Sequence, residues 1–173
     1  LPDIVTHYLA SYLVARAALR PRYAALIALI GLLPDIDVLV RVHKWVTHSI
    51  PIALLVAVLI LVLVYYRFRR YLRFVAIALL IYVLHIALDL FTAPTPALWP
   101  LHNSLWIRVE LTGAVTVGGV SIAPEIEVVA KPADFTPREV VGGPVVTETG
   151  LVLAIAVTTL TILEAILGKV EKR

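Results

Sequence analysis

The sequence has no cysteine, no methionine and no glutamine, and its one asparagine is Asn103. Without cysteine there can be no disulfide and no thiolate metal site. Any metal must therefore be held by His, Asp or Glu. The scarcity of thermolabile amides fits a thermophilic source. The missing methionine is expected to reflect a trimmed start or an unusual start codon. Charge is sparse as well: charged residues are 16% of the chain and the formal net charge is +3. That excess is too small to suggest a nucleic-acid partner.

Apolar residues fill the space left, at 61% of 173 residues with a mean hydropathy of +0.96. An ordinary soluble domain is nearer half apolar, so part of this surface must face lipid. Three runs, 50–66, 72–91 and 151–167, carry almost no charge and predict membrane-spanning helices. The first comes to about 25 Å at ~1.5 Å per residue, close to the short limit for a bilayer. Ser49 is a plausible N-cap for it, and Pro51 is tolerated in a first turn. Two shorter apolar helices are expected over 4–19 and 23–33, packed as a hairpin against the other three. Residues 92–147 are richer in proline, glycine and charge. Their alternating stretches predict two to four short strands.

The expected fold is an all-α membrane bundle of about five helices with a small β-rich insertion between helices four and five. Its parts are a helical bundle over 1–91, the insertion over 92–147, and a last helix with a basic tail over 148–173. Arg16, Arg20, Arg22, Arg67, Arg69, Arg70, Arg73, Lys169, Lys172 and Arg173 all fall on one side if the helices alternate. The positive-inside rule makes that side cytoplasmic. The expected location is thus the inner membrane, multi-pass, with the insertion outside and the C-terminus in the cytoplasm.

That arrangement puts all five histidines, His7, His43, His48, His85 and His102, on the outer side with Asp35, Asp37 and Asp89. His85 and Asp89 are one turn apart on a helix and share a face. His85 also lies about 18 Å along its helix from Arg73, below the outer boundary of the hydrocarbon core. Ionisable groups at such depth are costly and usually line a functional cavity. A single histidine in an apolar helix is ordinarily a hydrogen-bonded core residue, and Asp35 and Asp37 can simply cap a loop beside Arg41 and Lys44. Convergence of several segments at one level is what points to a metal site. Imidazole with carboxylate suits zinc, manganese or iron(II).

Thr6-His7, 33–37 (Leu-Pro-Asp-Ile-Asp), 43–49 (His-Lys-Trp-Val-Thr-His-Ser), 85–89 (His-Ile-Ala-Leu-Asp) and 92–101 resemble the membrane-bound metal-dependent hydrolases, also called the LexA-binding inner-membrane hydrolase family. The pieces run in the family's order over about the first 100 residues. That family is in turn distantly similar to the zinc-dependent phospholipases C and the fungal single-strand nucleases, helical enzymes that hydrolyse phosphate esters. The resemblance implies His7, Asp35, His48, His85 and Asp89 as metal ligands and Asp37 as a ligand or general base. Trp45 stands where the family usually has glycine, and His102 has no glutamate four residues on. One or two ions, zinc foremost, are expected rather than three.

The function expected on this basis is metal-dependent hydrolysis of a lipid-linked phosphate ester. Asp37 is the candidate base, His43 or His102 the group that protonates the leaving oxygen, and Arg41 and Lys44 the holders of the phosphate. Two other readings of the residues stay open. The His/Asp set can pass metal ions or protons, as intramembrane carboxylates do in transporters, or can hold a structural ion that anchors the outer segment for a partner. An enzyme needs an open coordination position and a cleft; a structural site is closed by four protein ligands.

Overall fold

The computed structural model describes residues 3–42, 44, 46–132 and 134–170. Its first helix, α1 (Ile4–Arg16), begins where the Asp3 carboxylate accepts the Val5 N–H at 2.9 Å. After a turn, Pro21 opens α2 (Pro21–Ala28), a position where its missing N–H costs nothing. The chain then tightens into a 3-10 turn over Leu29–Leu32 and, past Leu33, a second over Pro34–Val40. The two parts, Pro21–Leu32 and Pro34–Val40, are bent by 51°. Pro34 supplies a physical reason, since it cannot donate to a continuing helix.

Ser49 caps α3 (Ile50–Arg67), its hydroxyl accepting the Ile52 N–H at 3.2 Å, with Pro51 in the first turn. A 3-10 turn, Arg69–Tyr71, leads into α4 (Leu72–Thr92). Two strands, β1 (Leu105–Thr116) and β2 (Gly119–Ala130), pair antiparallel from Leu105 opposite Ala130 to Thr116 opposite Gly119. Gly119 at the turn has φ 129°, a region open mainly to glycine. The last helix is α5 (Glu148–Val170).

Among the described residues, two helices are long and apolar enough to cross a membrane, α3 and α4 with its leading turn; the bent pair makes a third if counted as one span. The most apolar windows of these two helices are only 17% and 22% buried within the chain. Exposed leucine, isoleucine and valine on that scale require lipid as their solvent. The protein is therefore mostly helical with a small two-stranded sheet where the β-rich insertion was expected, and the 3-10 turns between its helices make it something other than a pure five-helix bundle. The second expected helix is a short α-helix broken into 3-10 turns, and the insertion holds one hairpin.

Packing follows the small residues. Ala15, Leu19, Ala24 and Ile81 form a buried cluster, flanked by Tyr12, Ile27, Phe74 and Ile77. Alanine at such contacts lets helix backbones approach closely. Arg73 donates to the Ala18 carbonyl at 2.5 Å, which ties the α1–α2 turn to the start of α4. The hairpin docks at its base, where Thr95 and Ile107 exchange backbone hydrogen bonds of 2.9 Å each and Trp106 is buried.

Candidate metal centre

Four segments meet near the C-terminal part of α4. That helix contributes His85 and Asp89, one turn apart and both buried. The Pro34–Val40 turn brings Asp35, and a short 3-10 turn, Val46–His48, brings His48. Asp35, His48, His85 and Asp89 each offer one ligand atom, and these atoms all lie within 4.8 Å of one another. His48 Nε2 is 3.2 Å from Asp89 Oδ2 and 3.6 Å from Asp35 Oδ1; His85 Nε2 is 3.6 Å from Asp35 Oδ1 and 3.9 Å from Asp89 Oδ2. The fourth segment is α1. Its His7 ring stacks on His85 with centroids 4.0 Å apart, and its Nε2 lies 3.3 Å from Asp89 Oδ1.

The second nitrogen of each central imidazole is tied down. His85 Nδ1 is 2.6 Å from the Gly31 carbonyl, and His48 Nδ1 is 3.2 Å from Asp37 Oδ2. Acceptors at Nδ1 place the ring proton there and leave Nε2 as the lone pair facing the carboxylates, the usual support of a metal-binding histidine. Thr47 donates to the same Asp37 oxygen at 3.0 Å, and Tyr82 donates to the Thr47 carbonyl at 2.7 Å. Gly31 is where a side chain is least tolerable. A Cβ there would stand 2.0 Å from Ser11 Oγ and 3.2 Å from Ile81 Cγ2, so the Gly31 carbonyl reaches His85 only because α1 and α4 close over a bare backbone.

Two features of the cluster fit a cation. Both oxygens of Asp35 and of Asp89, and Nε2 of His85, are buried and make no hydrogen bond among the described residues. Buried polar atoms in that condition are costly unless something satisfies them. The charges point the same way. Asp35, Asp37 and Asp89 stand against one ammonium, that of Lys44, which is buried and 3.3 Å from Asp89 Oδ2. With neutral imidazoles this leaves two negative charges, which one divalent ion balances. With no ion present, burial works against the charged His48 ring, yet the facing carboxylates of Asp35, Asp37 and Asp89 outweigh it and push the ring up to about 10, so a proton takes the place a cation would fill. Burial is also the main influence on Lys44 and pulls its ammonium down, against the opposing pull of Asp89.

The residues singled out from the sequence thus separate into groups. His7, Asp35, His48, His85 and Asp89 come together. Asp37 is present but stands behind His48, on the far side of the ring from the four donors, a position for orienting the imidazole. Lys44 joins the cluster through Asp89, whereas the Arg41 side chain is exposed and its backbone carbonyl accepts the Arg138 N–H at 2.9 Å. His102 is exposed in the turn that follows Trp99 and Pro100 and does not belong to the cluster. His43 lies outside the described residues. Sequence reasoning missed the Gly31 carbonyl, Thr47 and Thr95, which act through backbone or hydroxyl groups. Thr47 at least is carried within the 43–49 segment.

No curated protein and no solved structure matched the chain. The model of the YdjM inner membrane proteins matches residues 3–167, which takes in the helices, the hairpin and every donor of the cluster. The chain belongs to the YdjM inner membrane protein family.

Proposed function

We propose that the protein is a membrane-embedded, metal-dependent hydrolase of phosphate esters that lie in or near the lipid phase. Asp35, His48, His85 and Asp89 would hold one divalent ion. Zinc is the ion that this imidazole and carboxylate set suits best. Such an ion supplies Lewis acidity, making water acidic enough to attack a phosphate ester near neutral pH.

The chain's own residues do the rest. Asp37 and the Gly31 carbonyl hold the two imidazoles in orientation. Lys44 steadies Asp89 and offsets part of the acidic charge. Asp35 is the least enclosed of the four. Its side chain is 12% exposed, while those of His48, His85 and Asp89 are fully enclosed. It lines a cavity of about 280 Å³ whose other walls are Ile4, Leu29, Leu32, Leu33, Ile36 and Leu39. This apolar cavity against the least enclosed residue of the cluster is the observation that carries the reading, because it favours a substrate with a hydrocarbon tail. The basic residues 67–73 at the opposite end of α3 and α4 support an outward-facing site.

The test is hydrolysis of a panel of lipid phosphate esters by purified protein loaded with zinc. The expected result is turnover that falls at least 100-fold in His85→Ala and Asp89→Ala. Enclosure of three of the donors favours a second reading, a structural ion. That reading predicts a large loss of thermal stability on chelation and no turnover of any ester.

A further inference from the structure

A second cavity, of about 260 Å³, is lined in part by Lys44, the neighbour of Asp89. Its lining is Lys44, Ala93, Pro94, Trp106, Val129, Lys131 and Arg138. Three of the seven are cationic and none is acidic. They come from four places in the chain: the loop before α3, the end of α4, the base of the hairpin, and the segment that returns from it. The fold brings these places together deliberately. Beyond the Thr95–Ile107 pairing, Trp106 Nε1 donates to the Lys131 carbonyl at 3.0 Å, the Lys131 N–H donates to Ser104 at 2.8 Å, and Arg138 is pinned to Arg41 through its backbone.

Lys44 joins this cavity to the His/Asp cluster. It adopts φ 60°, a left-handed conformation that non-glycine residues adopt uncommonly. Its buried ammonium donates to Thr95 Oγ1 at 2.7 Å and to the Ala93 carbonyl at 3.3 Å, beside Asp89. Since Asp89 offsets Lys44, the uncompensated charge on the cavity wall is that of Lys131 and Arg138, both exposed. Asp134 lies within electrostatic reach of both cations but is not part of the lining. Lys131 Nζ sits 5.4 Å from the centre of the Trp106 ring, which is a weak competitor for its charge beside a phosphate.

We propose that this cavity binds a phosphate group, with Arg138 and Lys131 taking the anion from the water side and Lys44, its ammonium held by Thr95, Ala93 and Asp89, closing the inner end. Arginine offers a two-pronged match to phosphate oxygens and lysine a point charge. The volume falls below the ~300–1,000 Å³ of drug-sized sites, which suits a small phosphorylated head group. That the bound phosphate belongs to the substrate rests on the hydrolase reading; the anion binding itself does not.

The test uses the full chain in neutral detergent with EDTA, so that no ion at the His/Asp cluster contributes. Calorimetric titrations with inorganic phosphate, glycerol phosphate, and mixed micelles of phosphatidylglycerol or diacylglycerol form its arms. Saturable binding of a phosphate-bearing ligand but not of diacylglycerol is expected. The double variant Lys131→Glu/Arg138→Glu, altered only at exposed side chains, should bind at least tenfold more weakly, and Ser121→Ala, an exposed position of β2 away from the hairpin base, within twofold of the parent. Saturation by glycerol phosphate supports the site with a soluble source. Saturation by phosphatidylglycerol alone supports it with a lipid source. Binding of neither, or equal binding by the folded double variant, overturns it. Metal content of the protein before EDTA is added separates the two ideas: a chain that holds metal without phosphate loses this cavity, and one that binds phosphate without metal loses the hydrolase reading.

Discussion

His48 and His85 each turn one ring nitrogen toward Asp35 and Asp89 and have the other secured, by Asp37 at 3.2 Å and by the Gly31 carbonyl at 2.6 Å. Removing such an outer partner ordinarily costs about 10–100-fold in metal affinity without abolishing the site. Asp37→Ala should therefore weaken zinc binding by that factor, measured by competition with a chelating dye, while the number of sites stays the same. A drop to no binding would make Asp37 a direct ligand. The pairing of His85 with Asp89 was readable from a spacing of four in a helix. The division of labour between Asp35 and Asp37 was not, because it depends on the local helix type. With ~3.0 residues per turn, positions two apart in a 3-10 turn point about 120° from each other. One carboxylate therefore faces the cluster and the other goes behind His48. His102 stands apart from the cluster, exposed beyond the end of α4. Proximity to the end of α4 in sequence does not place a side chain in a turn that faces outward.

At the scale of elements, Asp3 joins two helices that begin far apart in the chain. Its carboxylate caps α1 through the Val5 N–H and accepts from the Thr147 N–H and hydroxyl at 2.9 and 2.5 Å, beside the start of α5. Gly150 makes room, since a Cβ there would stand 2.0 Å from Asp3 Oδ2. Burial opposes the charged carboxylate, but the hydrogen bonds from Thr147 and Thr6 prevail and hold it down at about 2, against an ordinary 3.8. A carboxyl lowered by folding stabilises the protein above its unfolded pKa, and that contribution is lost as pH falls. Melting curves should thus show the Asp3 contribution intact above about pH 4 and fading toward pH 2. Asp3→Ala should cost about 1–2 kcal/mol at neutral pH and flatten that acid dependence. The long apolar runs gave α3 and α4 away because lipid-facing helices need little else. α2 was harder: its apolar run continues through residues 29–33, and nothing in periodicity separates an α-turn from a 3-10 turn. The hairpin's alternation was visible, but the length of its two strands depends on the single turn at residues 117–118.

For the whole molecule, the account puts the His/Asp cluster and the hairpin outside and the arginine-rich turns inside. The absence of native cysteine makes this directly testable. In intact cells, an impermeant maleimide should label Ser121→Cys, exposed on β2, and leave Lys169→Cys unlabelled until the membrane is opened. The reverse pattern would turn the protein over and place the site in the cytoplasm. The basic clusters and the apolar runs of the sequence are the ground for that expected orientation. The second cavity was hidden from it, because Lys44, Trp106, Lys131 and Arg138 meet only when the hairpin base docks on α4.

Everything rests on four side chains sharing one cation. The most direct measurement is the metal content of protein purified without added chelator and dialysed against trace zinc, for the parent chain and for His48→Ala and Asp89→Asn variants that retain their helical circular dichroism. The account predicts one divalent ion per parent chain and a loss of at least 90% of it in each variant. A parent chain free of metal, or variants that bind as much as the parent, would contradict it.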